Sequence, residues 1–374
     1  MDDIKKVIVS ILGLISLAFL SSCASVQTIE PGNESASVSQ IVVNGSGAMS
    51  LESAGEPEPT SSRQLSAIDS LSELTYLPKI ISSVRLSPSE IADTFNRAGI
   101  GPGGPRQEAE FDNVVIYAVV YETTDGAHVR GWISAPPDHT EVAYPILIMN
   151  RGGTTVGFTR PQPISDILAR AIRFSDEGYI SLQTYHREGQ WIRRGGNIYF
   201  DTEHPDQWGG DDIYDILALM DLSELFNFRG AGLYMVGGSR GGMMTTMILR
   251  RDDRIDAAVI VCSLSDNVEQ YNRGIGNEFA MLFGGTPEEV PYEWYRRDAV
   301  NWADEIDTPL LLLHGYLDTL VLPSQSQRVY ELMHSAGRDV WLIIYDDKGH
   351  VFDEDMKYDT FNWLRERHLE IFGE

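Results

Sequence analysis

Residues 232–242, Gly232-Leu233-Tyr234-Met235-Val236-Gly237-Gly238-Ser239-Arg240-Gly241-Gly242, read as a short apolar strand running into a serine flanked by glycines. The next seven, Met243-Met244-Thr245-Thr246-Met247-Ile248-Leu249, contain no breaker and can continue as a helix. Strand, G-x-S-x-G and helix in succession lift a serine onto a tight turn at the end of a sheet. Such a turn is strained, and a side chain at Gly237 or Gly241 would collide with the neighbouring helix or strand. In a chain with 34 glycines, the same motif also fits an ordinary Gly-rich turn, so its meaning depends on what surrounds it.

Outward from this turn the sequence alternates. Apolar runs predict strands over 114–121, 129–134, 145–150, 179–184, 232–236, 256–261, 309–313 and 340–345. The first two flank Thr124-Asp125-Gly126, a hairpin signal. Helices are expected over 164–177, closed by Gly178, over 211–226 with Ile213, Ile216, Leu217 and Met220 on one face, and over 324–336 and 358–371. Continuous apolar strands separated by amphipathic helices imply an α/β domain: a mostly parallel, eight-stranded sheet with helices on both faces. In an open α/β sheet, ligand-facing residues lie beyond the carboxyl ends of the strands. Ser239 follows the fifth strand. His314-Gly315-Tyr316-Leu317-Asp318 follows the seventh strand core, and Asp346-Asp347-Lys348-Gly349-His350 follows the eighth.

A serine, a carboxylate and a histidine therefore fall on one rim. A serine hydroxyl is a poor nucleophile until a base takes its proton. A histidine with an ordinary pKa of about 6.5 suits that task, and a buried carboxylate fixes its tautomer and stabilises the imidazolium. Ser239, Asp318 and His350 are the candidates for these roles. His314 is expected to be structural, packed at its strand end, and Asp266, after the sixth strand, is the alternative acid. Asp346 and Asp347 sit too near the strand end to be preferred, and His128, His186 and His204 have no comparable placement. The backbone N–H of Arg240 should supply one oxyanion donor. Gly152 or Gly153, in the loop Asn150-Arg151-Gly152-Gly153-Thr154, should supply the other.

Taken together, these segments resemble the prolyl-oligopeptidase family of serine peptidases, and its acylaminoacyl-peptidase branch most closely. The resemblance runs over 111–372 and rests on Gly237–Gly242 as a G-G-S-x-G-G elbow, Leu311-Leu312-Leu313-His314-Gly315-Tyr316-Leu317-Asp318 followed by Gln325-Ser326, Gly349-His350, and Trp208-Gly209-Gly210-Asp211-Asp212. It implies an α/β-hydrolase fold and carries the triad onto Ser239, Asp318 and His350. Arg151 stands where the family has His or Tyr, which leaves the oxyanion role there to backbone N–H groups. The family's N-terminal β-propeller would need about 300 residues, far more than the stretch 24–110 offers. A stand-alone domain of this kind is expected to cleave peptides, with esters as the alternative and a non-catalytic envelope binding protein as a second alternative.

The N-terminus has its own signature. Lys5-Lys6, an apolar stretch over 7–20 and Leu20-Ser21-Ser22-Cys23 describe a signal peptide over 1–22. Its last four residues resemble the lipobox of bacterial lipoproteins, which implies lipidation of Cys23, export and anchoring to the cell envelope. A Ser/Gly/Pro/Glu-rich linker follows over 23–66. Residues 67–110 are expected as a helical accessory opened by the capping box Ser87-Pro88-Ser89-Glu90, and 111–374 as the catalytic domain.

Bulk properties narrow the partners. A formal charge of −26 speaks against nucleic acid, whose binding requires Lys and Arg against phosphates. The two cysteines, Cys23 and Cys262, give no disulfide framework, and no metal-ligand cluster or cofactor motif is apparent. Cys262 reads as a small buried apolar residue. Two long inserts leave the active rim, over 186–210 and 265–298. Trp191 and Tyr271 are candidate pocket walls, with Phe279, Phe283, Tyr292 and Trp294 beside Tyr271 in sequence. Arg193 or Arg194 is expected to meet a substrate carboxylate, since positive charge gathers there in an acidic chain.

Overall fold

In a computed structural model the described residues are 41–44, 79–98, 104–153, 164–185, 187, 191–194, 197–200, 206–225 and 230–373. The expected signal segment, Cys23, most of the linker, His186 and His204 lie outside them. The chain begins with β1 (Ile41–Asn44), β2 (Lys79–Leu86) and α1 (Pro88–Ala98). Then come β3 (Val115–Glu122), β4 (His128–Ala135), β5 (Tyr144–Asn150), α2 (Ile164–Asp176) and β6 (Ile180–Thr184). The small strands β7 (Trp191–Arg194) and β8 (Asn197–Phe200) precede α3 (Ile213–Leu225), β9 (Gly230–Gly238), α4 (Arg240–Leu249) and β10 (Ala257–Val261). Three short helices, α5 (Asn267–Asn272), α6 (Asn277–Phe283) and α7 (Pro291–Tyr295), lead to β11 (Leu310–Gly315), α8 (Pro323–Ser335), β12 (Val340–Tyr345) and α9 (Glu354–Phe372).

Among the described residues ten strands form one sheet, in the order β1-β12-β11-β10-β9-β5-β6-β4-β3-β2. The six from β12 to β6 run parallel, and β4, β3, β2 and β1 attach antiparallel. All eight expected strands are present, and the fold is the expected α/β-hydrolase type. β1 and β2 are additions. β2 was hard to read because its sequence, KIISSVRL, interrupts the apolar pattern with two serines and its residues stay mostly exposed at the sheet edge. The segment 67–110 is therefore not a purely helical accessory, because it contributes a strand to the main sheet. Its helix α1 begins as the capping box requires, with Ser87 N–H donating to Glu90 Oε2 at 2.8 Å and Glu90 N–H to Ser87 Oγ at 3.3 Å. Ile91 and Ala92 of α1 pack on Phe111, Ile116 and Leu168, so the helix shares a core with the sheet.

The two-residue period of the parallel strands sorts their side chains onto two faces. Leu147, Met149, Tyr234, Val236, Val259 and Leu313 meet Phe361 and Leu364 of α9. Their alternates Ile146, Ile148, Met235, Ala258, Ile260 and Leu312 meet α3, α4 and α8 through residues such as Ile216, Met244 and Met333. At about 25 cal/mol per Å² of apolar surface removed from water, such double coverage is the main stabilising term of the domain.

The strand order also selects the site. β5 is flanked by β6 on one side and β9 on the other, so the chain reverses its direction of travel across the sheet between β5 and β9. A crevice opens beyond the carboxyl ends of the two strands at such a switch point. Asn150, the last residue of β5, is in register with Gly237 of β9.

Candidate active site

Ser239 sits in the turn between β9 and α4 with φ 54° and ψ −120°, left-handed backbone that a residue with a Cβ adopts only when its surroundings impose it. The surroundings do. Ser239 N–H donates to Val261 O at 2.9 Å, and Ser239 O accepts from Gly242 N–H at 2.9 Å and Leu264 N–H at 3.1 Å. A Cβ on Gly241 would meet the Asn150 carbonyl group and Arg151 O, so this position must be glycine for α4 to reach the end of β5. The serine side chain caps nothing in its own helix, which leaves the hydroxyl for the crevice.

Across the crevice, a Cβ on Gly152 would lie 3.1 Å from Ser239 Cβ and 2.9 Å from Gly238 O. The loop after β5 thus brings bare backbone against the serine, and Gly153 follows with φ 100°. Arg240 is the first residue of α4, where a backbone N–H has no partner within the helix. Arg240 and Gly152 thus both bring backbone beside Ser239.

The Arg240 side chain has a separate role. It is buried, donates to both oxygens of Asp206 at 2.7 and 2.6 Å and to Asp212 Oδ2 at 2.7 Å, and lies 4.6 Å over the Trp208 ring. Burial, then the charge of Asp206, push the Asp212 carboxyl up, against the pull of Arg240. The guanidinium thereby ties the nucleophile turn to residues 206–212, ahead of α3. Sequence alone marked this segment as a motif but gave no partner for it.

The other two residues arrive from the next strands. Cys262, at the end of β10 beside Ser239, places its Sγ 3.8 Å from Gly349 O and 3.6 Å from Val351 O. The loop that carries His350 therefore packs against the strand end neighbouring the serine. His350 Nδ1–H donates to Asp318 Oδ2 at 2.7 Å. Asp318 Oδ1 accepts from the N–H groups of Leu320 and Val321, both at 2.9 Å. Burial opposes ionisation of Asp318, but hydrogen bonds from His314, His350 and the Val321 backbone, with the charge of His350, hold its carboxyl well below the usual range. Asp318 is thus a carboxylate, and the Nδ1 of the His350 ring is held as a donor to it. No hydrogen bond joins the Ser239 hydroxyl to His350 among the described residues.

The alternatives are placed elsewhere. Asp266 Oδ1 accepts from Glu269 N–H at 2.7 Å to cap α5, and its Oδ2 pairs with Arg328 at 2.7 Å. His128 pairs with Glu122 on the hairpin between β3 and β4, and Asp346 and Asp347 are exposed turn residues. His314 is buried, as expected, yet its Nε2 also lies 3.3 Å from Asp318 Oδ2. Cys262 is buried, and burial pushes its thiol up to about 12.

The expected pocket walls fare less well. Phe279, Phe283 and Trp294 are buried and pack on one another, with ring centroids 5.6 Å apart for the first pair and 4.8 Å for the second. They hold the insert 265–298 together instead of lining a pocket, and the half-buried Tyr271 joins them edge-on to Trp294 at 5.2 Å. Tyr292 is exposed. Trp191, Arg193 and Arg194 lie on β7 of the β7–β8 hairpin, in register with Phe200, Ile198 and Asn197; their side chains lie outside the described residues. Arg187 of the same insert is buried against Asp215 at 2.9 Å and Asp125 at 2.6 Å, so it belongs to the scaffold.

Comparison with known proteins agrees with this geometry. The prolyl oligopeptidase family model matches residues 171–366. The chain is 26% identical over 240 residues to the uncharacterized peptidase YuxL of Bacillus subtilis (strain 168), covering 62% of this chain and 35% of that protein. It is 25% identical over 245 residues to the uncharacterized peptidase YtmA of the same organism, covering 64% of this chain and 88% of that one. The acylaminoacyl peptidase structure from Pyrococcus horikoshii superposes with a TM-score of 0.55 at 18% identity, over 71% of this chain and 44% of that one, a likeness of fold. The chain thus spans only about a third of YuxL, but most of YtmA. With the family model covering the elbow, the acid and the histidine together, the chain belongs to the prolyl oligopeptidase family.

Proposed function

We propose that this protein is a serine peptidase that cleaves peptide bonds through an acyl-enzyme on Ser239. One observation carries the reading: a carboxylate held on His350 Nδ1 at 2.7 Å shares a rim with a serine in a strained turn against bare glycine backbone. Ser239 Oγ attacks the scissile carbonyl carbon while His350 Nε2 takes its proton and the carbonyl π pair moves onto oxygen. The N–H groups of Arg240 and of Gly152 or Gly153 receive that oxyanion, a contribution of about 3 kcal/mol per donor in comparable sites. His350 then passes the proton to the leaving amine, and water repeats the sequence to release the acyl group. Peptides are favoured over esters because the family is a peptidase family and both Bacillus subtilis relatives are named peptidases.

A fluorophosphonate probe tests the first step: covalent labelling that Ser239→Ala abolishes is expected, and a folded parent that takes no label would reduce the chain to a binding protein. Aminoacyl-p-nitroanilides beside p-nitrophenyl esters test the bond cleaved, and turnover of esters alone would replace the peptidase reading with the esterase one. Lipidation of Cys23 and anchoring to the cell envelope belong to the same proposal, supported by the charged start, apolar stretch and Leu20-Ser21-Ser22-Cys23. Cys23→Ser should move the protein from the membrane fraction to the soluble one, and an unchanged distribution would refute it.

A further inference from the structure

His314 is fully buried at the end of β11, and its ring makes three contacts. Nδ1 lies 2.7 Å from Ser326 Oγ on α8, while Nε2 lies 3.0 Å from Val321 O and 3.3 Å from Asp318 Oδ2. A carbonyl oxygen can only accept, so Nε2 carries a proton; the Ser326 hydroxyl can donate to Nδ1, and the neutral Nε2–H tautomer satisfies both hydrogen bonds. Asp318 Oδ2 therefore accepts from His350 Nδ1–H at 2.7 Å and has the His314 Nε2–H group, which donates to Val321 O, 3.3 Å away. Oδ1 is fixed by two backbone N–H groups. The catalytic carboxylate is thus held by three hydrogen bonds, with a further N–H dipole beside the oxygen that meets the base.

We propose that His314 is a positioning residue for Asp318, its Nε2–H orienting the carboxylate toward His350 and drawing charge from the oxygen that supports the imidazolium. The inference rests on the acyl-enzyme reading above. A donor on Oδ2 weakens that oxygen as an acceptor, so the imidazolium formed as Ser239 gives up its proton is held less tightly. Proton return to the leaving group is correspondingly easier. The electrostatic surroundings are simple. Cys262 faces Asp318 from β10 and His350 from the loop after β12. The Cys262 thiol, pushed up to about 12 by burial, stays uncharged through the working range. Lys348, the nearest cation in sequence to His350, is engaged by Asp353 and Asp355, each at 2.6 Å. Ser326 was visible in the sequence only as part of a motif; its spacing of twelve residues from His314 becomes a contact when α8 folds back over β11.

The test is the pH dependence of fluorophosphonate inactivation of the full chain, for the parent, His314→Asn and His314→Gln. Asparagine can still meet Ser326 but loses the donor to Asp318, whereas glutamine extends an amide N–H toward it. The acid limb, which reports protonation of the general base, should move up by about one pH unit in His314→Asn, the scale of one charge-assisted hydrogen bond. His314→Gln should return it most of the way. A loss of packing alone would lower the plateau or the Tm without moving the limb, so a folded His314→Asn with the parent's limb overturns the proposal. ¹⁵N-histidine NMR of the parent gives a reading that needs no folded His314 variant, with the His314 signal assigned by its shift in Ser326→Ala. An Nε2–H tautomer is expected, and an Nδ1–H tautomer refutes the donor role. A parent that takes no label sinks the acyl-enzyme reading instead, and an Nδ1–H tautomer in that parent would still refute the donor role of His314.

Discussion

Asp318→Asn isolates the acid because the structure leaves an amide no comfortable orientation. Asp318 accepts from the Leu320 and Val321 N–H groups on Oδ1 and from His350 on Oδ2, where His314 Nε2 also lies 3.3 Å away. An asparagine must turn its NH₂ toward one pair. Turned to the backbone side, it loses two hydrogen bonds at 2.9 Å and sets donor against donor inside the protein, a cost of about 1–3 kcal/mol per unsatisfied group. Turned to the histidine side, it donates to His350 Nδ1 and forces the proton onto Nε2, so the ring can no longer accept from Ser239. The second orientation keeps the backbone bonds and should dominate. The expected result is a folded protein whose kcat/KM falls about 10⁴-fold, equivalent to about 5.4 kcal/mol at 1.36 kcal/mol per decade. Fluorophosphonate labelling rates and aminoacyl-p-nitroanilide turnover measure it, with circular dichroism as the control for folding. A folded variant that keeps activity within tenfold of the parent would refute both the role of Asp318 and the tautomer argument.

Gly241→Ala places a methyl on the carbonyl group of Asn150 and should destabilise by about 3 kcal/mol, lowering the Tm by several degrees; an unchanged Tm would mean that α4 can retreat from β5. Arg240→Met leaves the buried carboxylates of Asp206 and Asp212 without their shared cation, and a loss of about 3–5 kcal/mol is expected from urea unfolding at pH 7. Part of that loss should return below pH 5 as the carboxylates protonate, and equal destabilisation at both pH values would argue for lost packing instead. Asp298 is raised to about 7 by burial, against the hydrogen bonds it accepts from Asn267 and Val268 at the start of α5. Because its folded pKa lies above the unfolded one, its ionisation removes stability as pH rises from about 4 to about 7. Asp298→Asn should flatten that decline, worth about 2 kcal/mol after allowing for relaxation around the charge. A slope identical to the parent's would show that other groups set it.

Much of this site was legible in the sequence because the chemistry lies at strand ends, and strands announce themselves. The run before Ser239, the glycines around it and the apolar cores of β11 and β12 each follow from local patterning. A parallel sheet then brings their carboxyl ends to one rim whatever the loops do. What failed depended on contacts between distant segments. Phe279, Phe283 and Trp294 look the same in sequence whether they line a cleft or fill the inside of an insert, and here they turn inward on one another. β2 escaped notice because an edge strand buries too little to need regular alternation.

The sequence by itself determined the order of the main strands and put Ser239, Asp318 and His350 forward as nucleophile, acid and base, since each lies just past an apolar run that local patterning marks as a strand. Only the tertiary structure decided how the carboxylate is held, because His350 reaches Asp318 from the loop after β12, and Ser326 of α8 orients the His314 ring that lies 3.3 Å from it. The same holds for Arg240. Its backbone role could be read from its place after Ser239, while its side chain's partners, Asp206 and Asp212, lie some thirty residues earlier and meet it only across the packed interior. Local sequence fixes backbone geometry through short-range sterics, whereas the orientation of a buried polar side chain depends on which donors the completed fold places around it.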